Sequence, residues 1–319
     1  MTGARSQRLG EFEFAADSNR AEVLKGLFQS PKTLPCKLFY DARGAELFDK
    51  ICDLDEYYLM RTELGILRTN IEQIARALEP LNALLEYGSG ASVKTRVLLD
   101  ALPRLAMYVP IDICESALRA SVSELSQAYP ALRVEPVCGD YMGELHLPSV
   151  AEHTVAFFPG STIGNLEPPA AREFFGRVRA HCGGSAKLLI GVDLRKAVDL
   201  LISAYDDRGH VTADFNLNIL NVLNREHGAN FQLADFTHRA IWNEAASRIE
   251  MHLVSRRRHT VHIGSAQVNF EAGESIVTEH CHKYDLDQFR DLAHGGGFSV
   301  QRVWTDRDKL FSVQLLVAR

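Results

Sequence analysis

The sequence predicts an α/β fold, a mostly parallel sheet domain carrying an interleaved α+β domain. Three observations predict it. From about residue 62, short apolar runs that end in Gly or Asp alternate with stretches of helical periodicity. Such alternation implies βαβ units, because parallel neighbours need crossover connections. The alternation stops after Leu194, where a mainly helical stretch (195–235) precedes a β-branched one (237–281), and it resumes near Leu286.

Taken in order, Thr62–Leu78 places Leu64, Ile66, Leu67, Ile71, Ile74 and Ala75 at helical spacing. The run Ala83–Tyr87 is a first strand, stopped by Gly88-Ser89-Gly90, and Ser92–Leu102 is a helix. Met107–Ile113 is a second strand and Glu115–Tyr129 the helix after it. Leu132–Cys138 is a third strand. Thr154–Phe158 is a fourth, and the helix after it runs to Cys182 from about Pro168-Pro169, because proline is tolerated in a first turn. Lys187–Val192 is a fifth strand. Leu286–Ala293 is a helix, and Phe298–Thr305 with Phe311–Val317 form a hairpin that closes the sheet. The expected domains are 62–195 plus 284–319 for the sheet, and 1–61 plus 196–283 for the insertion.

Composition bounds the function. The chain has 319 residues and a net charge of -6, which argues against general nucleic-acid binding. The Arg256-Arg257-Arg258 cluster is short and reads as a solvated edge. Six cysteines without a C-x-x-C pair fit reduced thiols in the cytoplasm. No apolar run is long enough to span a bilayer. A monomer acting on a small molecule is expected. His280, His282 and His294 do not fall at metal-ligand spacing, so no metal is expected.

Three strand ends carry the candidate cofactor chemistry. Gly88, Ser89 and Gly90 let a ligand approach the backbone. The third glycine of a dinucleotide loop is absent, since Val93 stands there, which disfavours NAD or FAD. Asp112, at the second strand end, suits two ribose hydroxyls. Asp140, at the third, suits an adenine amino group. Glycine loop, Asp and Asp together fit S-adenosylmethionine, which has adenosine but no phosphate. The plain alternative is that both aspartates cap helices. At the fourth strand end, Gly160 to Gly164 leave room for two ligands beside Asn165; the alternative is an ordinary turn with Asn165 as a helix cap.

The segments KLFYDARGAELFD (37–49), EYYLMRTE (56–63), EYGSGASVKTR (86–96), VCGDY (137–141), GSTIGNL (160–166), AYDDRGHVTADFN (204–216), RIEM (248–251) and TEHCHKY (278–284) occur in this order. Together they resemble the S-adenosylmethionine-dependent histidine Nα-methyltransferases of ergothioneine biosynthesis, which make trimethylated hercynine. The resemblance implies a Rossmann-like class I methyltransferase sheet domain and an interleaved α+β substrate-binding domain. It implies that Asn165 and Tyr205, the catalytic candidates, hold the amino and carboxylate groups of the amino acid, with Tyr57 at the same end. Glu279 would bind the imidazole, in a pocket also lined by Tyr40 and Met251. Lys94, Tyr141 and Gly160 join Gly88, Ser89, Gly90, Asp112 and Asp140 on the cofactor. Cys281 departs from the family pattern, which has Ser there, and a thiol is the weaker hydrogen-bond partner. A methyltransferase for another free amino acid and a cofactor-sensing module without catalysis are the rival readings.

Overall fold

The computed structural model of the chain describes residues 20–90, 92–149 and 152–319. They form two compact units. An α/β unit comprises Phe48–Ala204, Trp242–Ile249 and His280–Arg319. An α+β unit comprises the described residues up to Leu47 with Tyr205–Ile241 and Glu250–Glu279.

Eight strands form the sheet of the α/β unit. Their order is Phe298–Thr305, Phe311–Ala318, Lys187–Asp193, Thr154–Phe158, Ala83–Tyr87 and Met107–Asp112, with the short Arg133–Val134 and Val137–Cys138 both paired to Met107–Asp112. Neighbours are parallel except at the C-terminal hairpin, which joins Lys187–Asp193 antiparallel through Phe311–Ala318. Ala83–Tyr87 and Thr154–Phe158 are buried at every residue. Strands covered on both faces need such nearly continuous apolar runs. On one face Tyr87, Phe158 and Phe174 form an aromatic cluster, with centroids 4.3 Å apart for Phe158–Phe174 and 5.1 Å for Tyr87–Phe174.

The third strand departs from the expected single run. It breaks around Glu135-Pro136, yet its register does not slip: Tyr108 pairs with Val134 and Ile111 with Val137. The break falls where Pro136 and Pro110 stand level. Neither has an N–H, so the ladder loses its bonds there.

The first strand, Ala83–Tyr87, has the second on one side and the fourth on the other. Strand order therefore reverses between Ala83–Tyr87 and Thr154–Phe158. In open α/β sheets the crevice outside the carboxyl ends at such a reversal is where ligands bind. The loops after residues 87 and 158 flank it.

In the α+β unit the strand order is Lys32–Thr33, Ser275–His282, Arg248–Ser255 and Phe236–Asn243. A separate hairpin, His259–Ile263 with Ala266–Phe270, and the helix Val211–His227 complete it. Phe39 stacks on Phe215 at 4.7 Å, and Phe236 meets Phe270 edge-on at 5.4 Å.

Candidate active site

Gly88 and Gly90 adopt φ of +70° and +47°, and a Cβ on either would meet nothing within 4 Å. The ground above this loop is open. The Gly88 N–H donates to the Ile111 carbonyl at 2.8 Å. Asp112 joins the first two strand ends: Oδ2 accepts from the Gly90 N–H and Oδ1 from the Cys114 N–H, both at 2.9 Å. It is not a helix cap, since the next helix is capped at Cys114. Asp140 accepts the Met142 N–H at 2.8 Å and precedes a turn, with no helix to cap. The Tyr141 ring lies edge-on to Phe158 at 5.4 Å and Phe174 at 5.8 Å. Ser89 is buried and its Oγ has no hydrogen-bond partner. An open glycine loop, an orphaned hydroxyl and a carboxylate at the neighbouring strand end fit an adenosine-bearing cofactor that lacks phosphates.

Two residues behind this loop, Glu86 is fully buried. Thr95 donates to its Oε2 at 2.6 Å, and the Tyr108 hydroxyl donates to the same oxygen. Burial pushes the Glu86 carboxyl up to about 7, against the pull of those two donors.

At the fourth strand end, Gly160 (φ +80°) leads into a 3₁₀ turn, Thr162–Asn165. Asn165 is not the cap of the helix Pro168–Cys182; that position is Glu167, which makes no side-chain capping bond. The turn lies directly on the strand that carries Cys281. A Cβ on Gly164 would stand 2.7 Å from the His282 carbonyl oxygen and 3.5 Å from Cys281 Sγ. Beside it, the Ser161 hydroxyl accepts the Asp193 N–H at 2.9 Å.

Asp193 is wholly buried and anchors a charged cluster. Lys283 Nζ lies 2.8 Å from its Oδ2 and donates to Cys281 Sγ at 3.1 Å. Lys196 Nζ lies 2.5 Å from its Oδ1, and Tyr58 donates to both oxygens. Burial opposes charge on Lys283, but Asp193 overrides it and holds the ammonium well above the usual lysine range. Lys196 is brought down to about 8, chiefly by burial. Tyr57 is buried with its ring edge-on to Phe48 at 6.1 Å.

In the α+β unit, Tyr205 and Met251 lie along one buried polar chain. His238 Nε2 is 2.8 Å from the Tyr205 carbonyl oxygen, and Asn216 Nδ2 is 2.8 Å from His238 Nδ1. An amide nitrogen donates, so Nδ1 accepts and Nε2 carries the proton that goes to Tyr205. Burial lowers the His238 pKa, which favours this neutral form. Thr278 Oγ1 sits 2.7 Å from Asn216 Oδ1 and 3.1 Å from the Met251 carbonyl oxygen. Tyr205, Met251 and the residue before Glu279 thus share one network. Tyr40 is edge-on to Phe215 at 5.9 Å. Asp207 accepts the Val211 and Thr212 N–H groups at 3.0 and 2.8 Å, at the start of the helix Val211–His227.

Sequence reasoning missed Glu63, Glu86, Asp193, Lys283, Asn216 and His238. For Glu63 a signal existed, since it lies three and four residues before Ile66 and Leu67, on the buried stripe of its helix. Glu86 and Asp193 sit in apolar strands, and Lys283, Asn216 and His238 among mixed residues, where only their partners reveal a purpose. Among the described residues, no group of three or more His, Cys, Asp or Glu could hold a metal ion. No helix among them is long and apolar enough to cross a membrane.

Comparison with known proteins shows the family. The chain is 40% identical over 309 residues to the histidine N-alpha-methyltransferase of Mycolicibacterium smegmatis, covering 95% of this chain and 96% of that one. It is also 40% identical to the enzyme of the same name from Mycobacterium tuberculosis, covering 93% and 94%. A solved S-adenosylmethionine-dependent methyltransferase from Clostridium acetobutylicum shares the fold at a TM-score of 0.50 and 10% identity, covering 85% and 97%. Residues 19–318 match the model of the S-adenosylmethionine-dependent, histidine-specific methyltransferases, and the chain belongs to that family.

Proposed function

We propose that the chain transfers methyl groups from S-adenosylmethionine to the α-nitrogen of free L-histidine, three times in succession, giving hercynine for ergothioneine synthesis. The observation that carries the reading is the seating of the 162–165 turn on the strand of Cys281, at the sheet's switch point. It supports reading Asn165, the residue after Gly164 in that turn, as the amine holder.

The bound cofactor supplies a sulfonium methyl whose leaving group departs neutral, so no acid is needed. The amine must arrive unprotonated and in line, and positioning supplies much of the rate. The α/β unit holds the cofactor through the Gly88–Gly90 loop, Lys94, Asp112, Asp140, Tyr141 and Gly160. Asn165 and Tyr57 orient the amine, Tyr205 the carboxylate, and Glu279 accepts the ring N–H in a pocket shared with Tyr40, Met251 and Cys281. In this reading the protein is a cytoplasmic monomer that binds no nucleic acid.

Mass spectrometry of L-histidine incubated with the protein and S-adenosylmethionine tests the proposal. Products heavier by one, two and then three methyl groups support it, and no methylated histidine refutes it. Asn165→Ala and Tyr205→Phe lower turnover steeply, whereas Glu279→Ala relaxes the choice of side chain. Cys281 keeps a second reading open, methylation of another free amino acid. Methyl acceptance across the free amino acids separates the two.

A further inference from the structure

We infer that Glu63 is a positioning residue for the cofactor, one that holds Lys94 ready for the carboxylate at the cofactor's methionine end. Glu63, in the second turn of the helix Tyr58–Leu78, is only 1% exposed. A carboxylate there costs several kcal/mol unless it is paired and hydrogen-bonded. Its Oε2 provides both. Lys94 Nζ stands 2.7 Å from it, and the Gly160 N–H donates to it at 2.8 Å. One oxygen therefore ties together the helix after the glycine loop and the loop after the fourth strand. These elements flank the switch-point crevice.

The other oxygen fixes Glu63 in place. Oε1 is buried without a hydrogen-bond partner, and a Cβ on Gly191 would stand 2.1 Å from it. The carboxylate is wedged over a strand with no room to turn. Lys94 in turn is 14% exposed, so it has left most of its water while Glu63 takes one of its three N–H directions.

Sheet order says which part of the cofactor this pair serves. Asp112 and Asp140, suited to the ribose and adenine, lie at the second and third strand ends, on one side of the glycine loop. Gly160 lies at the fourth strand end, on the opposite side. The adenosine is drawn one way, so the amino-acid end extends toward Lys94. An ammonium held by a fixed carboxylate, with N–H groups to spare, suits that end's carboxylate.

Calorimetry with two probes tests this. S-adenosylhomocysteine has the amino-acid end, and 5′-methylthioadenosine lacks it. Glu63→Gln keeps the shape and an acceptor for the Gly160 N–H but removes the charge. It should weaken S-adenosylhomocysteine binding by about ten- to a hundredfold, the worth of one charge-assisted hydrogen bond. Binding of 5′-methylthioadenosine should stay within about twofold, well under that worth. Lys94→Met should reproduce the pattern, and the double variant should bind no more weakly than Lys94→Met alone, because the two residues act as one unit. Equal losses for both probes would make Glu63 merely structural and overturn the inference. So would an unchanged S-adenosylhomocysteine affinity, or losses that multiply in the double variant. Should Glu63→Gln fail to fold, Lys94→Met still decides, since wild-type discrimination between the probes in that variant ends the proposal.

Discussion

Replacing Gly164 by alanine puts a methyl group 2.7 Å from the His282 carbonyl oxygen and 3.3 Å from its nitrogen. Both neighbours are strand backbone, which cannot rotate aside as a side chain can. Restoring ordinary contact requires the turn and the strand to part by about 0.7 Å, an overpacking that costs about 1–3 kcal/mol. Asn165 is the next residue, so it moves with the turn. Misplacement of a reacting group by about 1 Å can cost about a hundredfold in rate, and a loss of roughly ten- to a hundredfold in kcat/KM for histidine is expected from the smaller shift. The Gly88–Gly90 loop is untouched, so affinity for S-adenosylhomocysteine should hold within about twofold, a difference below 0.5 kcal/mol. Initial rates, calorimetry and thermal melting on the same preparation separate these effects. Wild-type kcat/KM in Gly164→Ala would refute the idea that this contact sets Asn165. A loss of cofactor affinity as large as the loss of rate would refute it too, because the damage would then not be local.

Glu86 makes stability depend on pH. Below pH 4.5 its carboxyl is protonated in both states; as pH rises toward 7 the unfolded chain ionises it and the folded protein does not, so stability falls through that window. The stability advantage of the wild type over Glu86→Gln should therefore be greater at pH 5 than at pH 7.5, by about 2 kcal/mol in urea denaturation, and a gap independent of pH contradicts the burial argument. Thr278→Val keeps the side-chain shape but leaves Asn216 Oδ1 without its donor, at about 1–3 kcal/mol. It should raise the KM for histidine while cofactor affinity stays put; an unchanged KM would detach the His238–Asn216–Thr278 chain from the substrate. Cys281→Ser restores the stronger hydrogen-bond partner and should lower the KM for histidine about two- to tenfold, and a KM that does not fall would remove Cys281 from contact with the substrate.

The parts of this protein that could be read from sequence are those whose cause is local. Residues 83–87 and 154–158 are nearly continuous apolar runs, broken only by Glu86 and Thr154, because both their faces are covered, and Pro168-Pro169 marks a helix start because a first turn needs no N–H there. Gly88, Gly90 and Gly160 could be found because positive φ at a strand end asks for glycine whatever surrounds it. The break at Pro136 had a local half, the missing N–H, and a remote half, Pro110 on the neighbouring strand.

The residues that escaped notice are those whose meaning lies wholly in a distant partner. Lys32–Thr33 is a strand because Ile276 and Val277 pair with it, more than two hundred positions away. Lys283 looks like a solvated lysine until Asp193 and Cys281 are seen beside it. Glu63 is the sharpest case, because its position on an apolar stripe was visible and ran against the pattern. A carboxylate facing a core must find a cation or several donors, or the fold loses several kcal/mol to it. That requirement follows from the helical spacing alone, and it leads directly to asking which lysine answers it. In this chain the answer is Lys94, six residues beyond the first glycine of the loop that we propose holds the cofactor, so a misfit in helical periodicity leads to a residue of that proposed site.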